Sequence, residues 1–224
     1  MAAWPRLVGS SACEGHRCEG ASVSVTHVRD AYVGFDSAWT DNPKAPGAVC
    51  ALVLEGDQLV TFYPPRLASF AQALEFIHEV QPPDGVTLVA LDQPTVVPNA
   101  TSMRPVERVA ASLISWLGGG VQPSNRGKVG MFCDASPIWG FLSNLGAREA
   151  PEEARIATSG LYLMEVFPAL ALPSLVPEFF GRLMAPRYNP DRRKTFKVAD
   201  WGRVAQGAEQ QFNDLGLVEP ALWC

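Results

Sequence analysis

Histidine is scarce in this 224-residue chain, and neither a G-x-S-x-G elbow nor a P-loop sequence occurs. Two of the three histidines, His16 and His27, lie close to the N-terminus and the third is His78. A Ser-His-Asp triad therefore has no support, and a cysteine nucleophile lacks a base partner. No apolar run reaches the roughly 18 residues of a membrane-spanning helix, which argues against a membrane protein. The opening Met1–Arg29 has no apolar stretch of the sort a secretory signal carries. The five cysteines (Cys13, Cys18, Cys50, Cys133, Cys224) are odd in number and scattered. That pattern suggests reduced thiols in a cytoplasmic setting rather than a disulfide framework. Cys13, His16 and Cys18 invite a zinc reading, but no second Cys/His pair follows at finger spacing. Positive charge is also in short supply: 18 Lys and Arg stand against 23 Asp and Glu, a net charge of −5. The molecule as a whole has no general attraction for nucleic acid or anionic membranes.

Apolar residues are plentiful at 47%, with 18% charged, so most of the chain is expected to fold. A globular protein of this size buries roughly 70% of its unfolded surface. Residues 1–30 have little apolar periodicity and read as a disordered leader before a single domain over 31–224. Within it, Ala31–Asp36, Gly47–Glu55 and Gln58–Tyr63 read as strands. Gly56-Asp57 is a two-residue hairpin turn, and Pro64-Pro65 is expected to end the third strand. Leu67–Val80 has helical spacing, and Val86–Asp92 is a strand apolar on both faces. Helices are expected over Met103–Leu117 and Ser136–Leu145, the latter closed by Gly146, with a loop over Val121–Val129. Leu161–Phe167 reads as another buried strand, with a helix opening at Pro168. Irregular chain over Pro186–Lys197 then leads to a last helix at Ala199–Leu215. A front hairpin followed by strands with helical crossovers makes an α/β fold: a mixed sheet with helices on both faces.

Three of these apolar strands carry one carboxylate at or near the C-terminal end: Asp36 in YVGFD, Asp92 in VTLVALD and Glu165 in LYLMEVF. An unpaired buried carboxylate costs several kcal/mol, and the carboxyl ends of strands are where open α/β sheets bind ligands. If the strands are neighbours, the three acids converge, and a shared Mg²⁺ or Mn²⁺ would relieve their repulsion. Each acid also has a plainer reading. Asp36 and Asp92 can cap turns, and Glu165, lying between Leu163 and Phe167, can pair with a buried arginine.

The segments GFDSAW, LDQPTVVPNATSMRPVE and MEVFPALAL resemble the DUF429 family, regarded as predicted nucleases with a ribonuclease H-like fold. The resemblance runs from about Tyr32 to Lys197. It implies that Asp36, Asp92 and Glu165 are the family's acidic positions, serving as catalytic residues and metal ligands. It also implies a mixed sheet whose first three strands are antiparallel and whose later strands are parallel. Two departures stand out. Tyr188 is followed by Asn189 where the family often has a Tyr-Lys step. Neither Asp214 nor Glu219 matches the further acid that ribonuclease H-like nucleases carry on a C-terminal helix.

Basic residues cluster locally. Arg182, Arg187, Arg192, Arg193, Lys194 and Lys197 against Asp191 give +6 − 1 = +5, which leaves −10 on the rest of the molecule. Such a stretch beside a metal-loaded cleft suits a phosphodiester, though it is equally the composition of a solvated loop. Candidate substrate-binding residues are Arg104, Asn99, Arg192, Arg193 and Lys194. Arg104 can clamp a phosphate or pair with Glu107 or Glu165, and loop asparagines such as Asn99 and Asn125 commonly serve turns. Trp39 reads as a core or rim aromatic. The leading expectation is a metal-dependent nuclease acting on nucleic acid or a nucleotide. The alternatives are a non-catalytic interaction protein and a phosphoryl-transfer relative of the sugar kinases and actin-like ATPases. The last usually duplicate the sheet, and this chain is too short for two copies.

Overall fold

Strand β1, Arg29–Asp36, joins two kinds of ladder: it pairs antiparallel with β2, Gly47–Glu55, and parallel with β4, Val86–Leu91. The computed structural model describes residues 28–115, 120–180, 186–190 and 192–216. On one side β2 pairs antiparallel with β3, Gln58–Ala68, and on the other β4 pairs parallel with β5, Gly160–Glu165. The sheet is open and mixed, in the order β3-β2-β1-β4-β5. Its elements follow the sequence expectation closely, including the turn at Gly56-Asp57, where Glu55 pairs with Gln58 and Gly56 takes φ 63°.

Alternation along β1 and β2 buries Val33, Phe35, Val49 and Ala51 on one face. Against them pack α1, Phe70–Val80, and α3, Pro137–Leu145. Phe35 is the hinge of this core, its ring 5.7 Å from Phe70 and 5.5 Å from Phe141. Such aromatic pairs add about 0.5–1.5 kcal/mol each beyond simple burial. Ser69 caps α1 in a reciprocal capping box with Gln72, and Gly146 closes α3 in the left-handed conformation at φ 61°. The opposite face carries a shallow apolar depression of about 230 Å³ bordered by Leu52, Leu88 and Phe212, the last from α6, Val198–Asp214. The remaining helices are α2, Pro105–Ser115, and the one-turn α4, Pro151–Ala154, and α5, Leu172–Leu175.

Three expectations need correction. The pair Pro64-Pro65 does not end β3, which continues to Ala68. This is an edge strand, and its register jumps from Ala51↔Tyr63 to Val49↔Arg66, so the prolines sit in a bulge where no ladder hydrogen bond is lost. Leu67 consequently belongs to the strand rather than to the helix, which starts after Ser69. The expected leader loses Arg29 and Asp30 to β1: Asp30 accepts a hydrogen bond from the Val86 N–H, and Arg29 pairs with Glu55. Residues 1–27, with the Cys13-His16-Cys18 cluster, lie outside the described residues, as do Trp116–Gly119, Arg182, Asp191 and Glu219. Among the described residues no helix is long and apolar enough to cross a membrane.

Candidate functional site

The parallel ladders bring the carboxyl ends of β1, β4 and β5 to one edge of the sheet, where a cleft of about 730 Å³ opens. Asp36, Asp92 and Glu165 all line it. Phe35 pairs with Leu91, and Asp36 and Asp92 each follow one residue later, so the two aspartates leave neighbouring strands side by side. Glu165 is level with Leu91 and therefore falls in the opposite phase. One residue of register separates the two aspartates from the glutamate.

The loop after Asp36 holds it in place at a cost in backbone strain. Ala38, Trp39 and Asp41 have φ of 51°, 65° and 52°, a left-handed conformation unfavourable for residues other than glycine. Side chains compensate. Buried Ser37 bonds buried Gln93, whose amide donates to the Trp39 carbonyl at 3.3 Å. The Trp39 indole N–H donates to the Asp92 carbonyl at 2.9 Å, and Asp41 accepts from the Phe70 N–H at 2.8 Å. The loops after β1 and β4 are thus tied to each other. Gly47 is needed here because a Cβ would collide with the Asp36 carbonyl.

The aspartates are poorly neutralised. Among the described residues, the exposed Asp36 carboxylate accepts only a 3.3 Å bond from the Ala38 N–H, and the carboxylate of half-buried Asp92 receives no hydrogen bond or ion pair. Burial first, then the Asp36 and Glu165 charges, push the Asp92 carboxyl up to about 6. This oxygen-only, under-neutralised pair suits a hard divalent cation such as Mg²⁺, which typically takes one or two carboxylates and leaves other positions to water or phosphate. Among the described residues no group of three or more His, Cys, Asp or Glu is arranged to hold a metal ion.

Glu165 has found other company. Arg104 Nη1 and Nη2 donate to its two oxygens at 2.9 and 2.5 Å, and the Thr95 N–H adds a bond of 3.2 Å. Arg104 also donates from Nε to Glu107 at 2.8 Å and from Nη1 to the Val96 carbonyl at 3.0 Å. Four of its five N–H donors are therefore spent within the protein. Burial alone would lower the guanidinium pKa, but bonds to Glu165 and Glu107 hold it above its usual value. Glu107, also buried, accepts in addition from the backbone N–H groups of Arg104 and Ser124. Burial raises its carboxyl, yet the bonds from Ser124 and Arg104 outweigh that and keep it low. Of the readings open for Arg104 and Glu165, the structure has the ion pair.

The remaining candidates divide. Arg192 lines the cleft, whereas Arg193 and Lys194 are exposed in the same turn and do not. Asn99 does not line it either: its amide is used on the carbonyls of Thr101, Ser102 and Ser124, at 2.9 to 3.1 Å, to pin its own loop. The amide nitrogen of Asn99, expected to bind substrate, is thus committed to its own loop. Asn125 likewise bonds the Ser102 carbonyl. Trp39 is the rim aromatic expected, with its ring 5.5 Å from Phe132.

Tyr188 is not marked as a site residue by the sequence. Its phenol is pushed above its ordinary value by burial and then by Asp92, against a downward pull from Arg192 and with a smaller push from Asp36. It is therefore close enough to Asp92, Arg192 and Asp36 to feel their charges, although it does not line the cleft. The segment that carries Tyr188 and Arg192 is closed at its base: Lys197 N–H bonds the Arg187 carbonyl at 2.7 Å, and Asp200 accepts from the Arg187 N–H at 2.9 Å. The only sequence signal for Tyr188 was its place at a family step that this chain does not complete.

Comparison of the chain with protein-family models, curated proteins and solved structures gave no match.

Proposed function

We propose that this protein is a metal-dependent phosphodiester hydrolase with a ribonuclease H-like fold, akin to the DUF429 nucleases, using Mg²⁺ or Mn²⁺ at Asp36 and Asp92. The observation that carries the reading is the pair of aspartates at adjacent strand ends, lining a cleft, with no donor to the Asp92 carboxylate among the described residues. The cleft lining also argues for a cation. Asp36, Asp92, Glu107 and Glu165 against Arg104 and Arg192 give 2 − 4 = −2, so a phosphate enters favourably only with additional positive charge. When bound, such an ion supplies an activated water and charge stabilisation at the phosphoryl oxygens. The chain's own residues do the rest. Asp36 and Asp92 fix the position of the ion, and the strained Ser37–Asp41 loop fixes the aspartates. Arg192, which lines the cleft, meets the phosphate, and Tyr188 lies close enough to Asp92 and Arg192 to feel their charges. Glu165 and Arg104 act by positioning: their ion pair braces the loop that follows Asp92.

Labelled RNA and DNA oligomers incubated with the protein and Mn²⁺ or Mg²⁺ test the reading. Cleavage that requires the metal and disappears in Asp36→Asn and Asp92→Asn supports it; metal-independent cleavage, or cleavage untouched by both substitutions, refutes it.

A second reading is favoured by one observation, the occupation of Glu165 by Arg104. In it the cleft binds a phosphate-bearing ligand without turnover. Metal-dependent binding of an oligomer that is never cleaved distinguishes this case.

A further inference from the structure

The cleft is lined by two unlike sets of side chains, the charged Asp36, Asp92 and Arg192 and the apolar Val106, Ala110, Val121, Phe167 and Leu170. Apolar surface predominates in the lining, which a catalytic centre for bare phosphate would not require. Phe167 is 36% exposed and Val106 59% exposed, both in a molecule that has buried Phe35, Phe132 and Phe179 almost completely. Phe167 directly precedes the one-turn 3₁₀ helix Pro168–Ala171 and follows two residues after Glu165, which is paired with Arg104.

The volume, about 730 Å³, lies within the roughly 300–1,000 Å³ range of sites that enclose small molecules. A paired and stacked base cannot reach into such a space without leaving its helix. Base–aromatic stacking is the usual way a protein grips unpaired nucleotides without regard to sequence. Binding along a duplex backbone would call for an extended basic surface, and the net charge here is −5 with one short basic turn beside the cleft.

We infer that the cleft takes one unpaired nucleotide of a single strand, its phosphate toward Asp36, Asp92 and Arg192 and its base against the apolar wall at Phe167. This rests on the phosphodiester reading above and narrows its substrate to single-stranded ends or segments. Trp39 contributes a fixed rim, since its indole N–H is committed to the Asp92 carbonyl.

The test is fluorescence anisotropy with the full chain in Ca²⁺, using labelled short oligothymidylate, oligouridylate and a blunt duplex. Single strands, as DNA or as RNA, are expected to bind at least about tenfold more tightly than the duplex, and Phe167→Ala to lose about tenfold of that affinity. Phe167→Trp, which keeps a stacking face, is expected to retain it, so a simple packing defect is told apart from a lost base contact. Equal binding of duplex and single strand overturns the inference, as does unchanged affinity in Phe167→Ala or no binding of either strand. Mn²⁺-dependent hydrolysis of methyl p-nitrophenyl phosphate, which has no nucleobase, reports on the parent reading separately. Hydrolysis without strand preference removes the nucleotide pocket alone. Strand preference without any hydrolysis removes the catalytic reading and leaves the pocket.

Discussion

Replacing Asp92 by asparagine is expected to stabilise the metal-free protein while destroying its function. The Asp92 carboxyl moves from 3.8 to about 6 on folding, and at 1.36 kcal/mol per unit that shift corresponds to about 3 kcal/mol against the folded, ionised form. Water reaches part of the carboxylate, and screening reduces the figure to about 1–2 kcal/mol. Because the folded carboxyl holds its proton more tightly than the unfolded one, folding takes up a proton between pH 4 and 6, approximately. Stability therefore falls as pH rises through that window; the penalty is complete at neutral pH and absent in acid. Asp92→Asn removes the penalty, which for a chain of this length raises Tm by about 2–8 °C near neutral pH. Calorimetry in EDTA at several pH values measures it. The gain should shrink toward zero as the pH approaches 4. A loss of Tm in the variant at neutral pH, or a gain independent of pH, would refute the claim that Asp92 is held ionised at a cost. Stability given up at a site in this way is common where function needs a strained group.

Other perturbations separate bracing from binding. Arg104→Ala leaves Glu107 and Glu165 without their shared partner, and urea unfolding is expected to show a loss of about 3–5 kcal/mol. Glu165→Gln keeps the shape of the pair but not its charge. It should cost about 1–3 kcal/mol by the same measurement while leaving metal affinity largely intact, in contrast to Asp36→Asn. Asn99→Ala unpins its loop for about 1–2 kcal/mol and leaves phosphodiester hydrolysis within a fewfold of wild type. Asp200→Asn weakens the base of the Tyr188–Arg192 segment, so hydrolysis should show a raised KM with little change in kcat.

The strand ends were readable from the sequence because an acid on an apolar run violates a strong rule, and Asp36, Asp92 and Glu165 do line one cleft, whereas Glu55, which also ends an apolar strand, pairs with Arg29. The turn at Gly56-Asp57 and the cap at Gly146 were readable for a similar reason, each being demanded by local backbone geometry. What the sequence could not supply was register. Only the pairing of Leu91 with Glu165 reveals that this acid is out of phase with Asp36 and Asp92, and partners with Arg104 across 61 residues. The Pro64-Pro65 bulge was hidden likewise, since an edge strand tolerates what a central strand forbids. Strain at Ala38 and Trp39 leaves no mark on composition, because neither residue type prefers a left-handed backbone. The segment that carries Tyr188 is closed by bonds between Arg187 and both Lys197 and Asp200, a contact that no local pattern announces.

Titration of the metal-free protein with Mn²⁺, followed by the loss of free-ion signal in electron paramagnetic resonance, tests the central claim most directly. The account expects saturable binding that is abolished in Asp36→Asn and in Asp92→Asn and retained in Glu165→Gln. Absence of binding to the wild type, or binding that survives both aspartate substitutions, would contradict it.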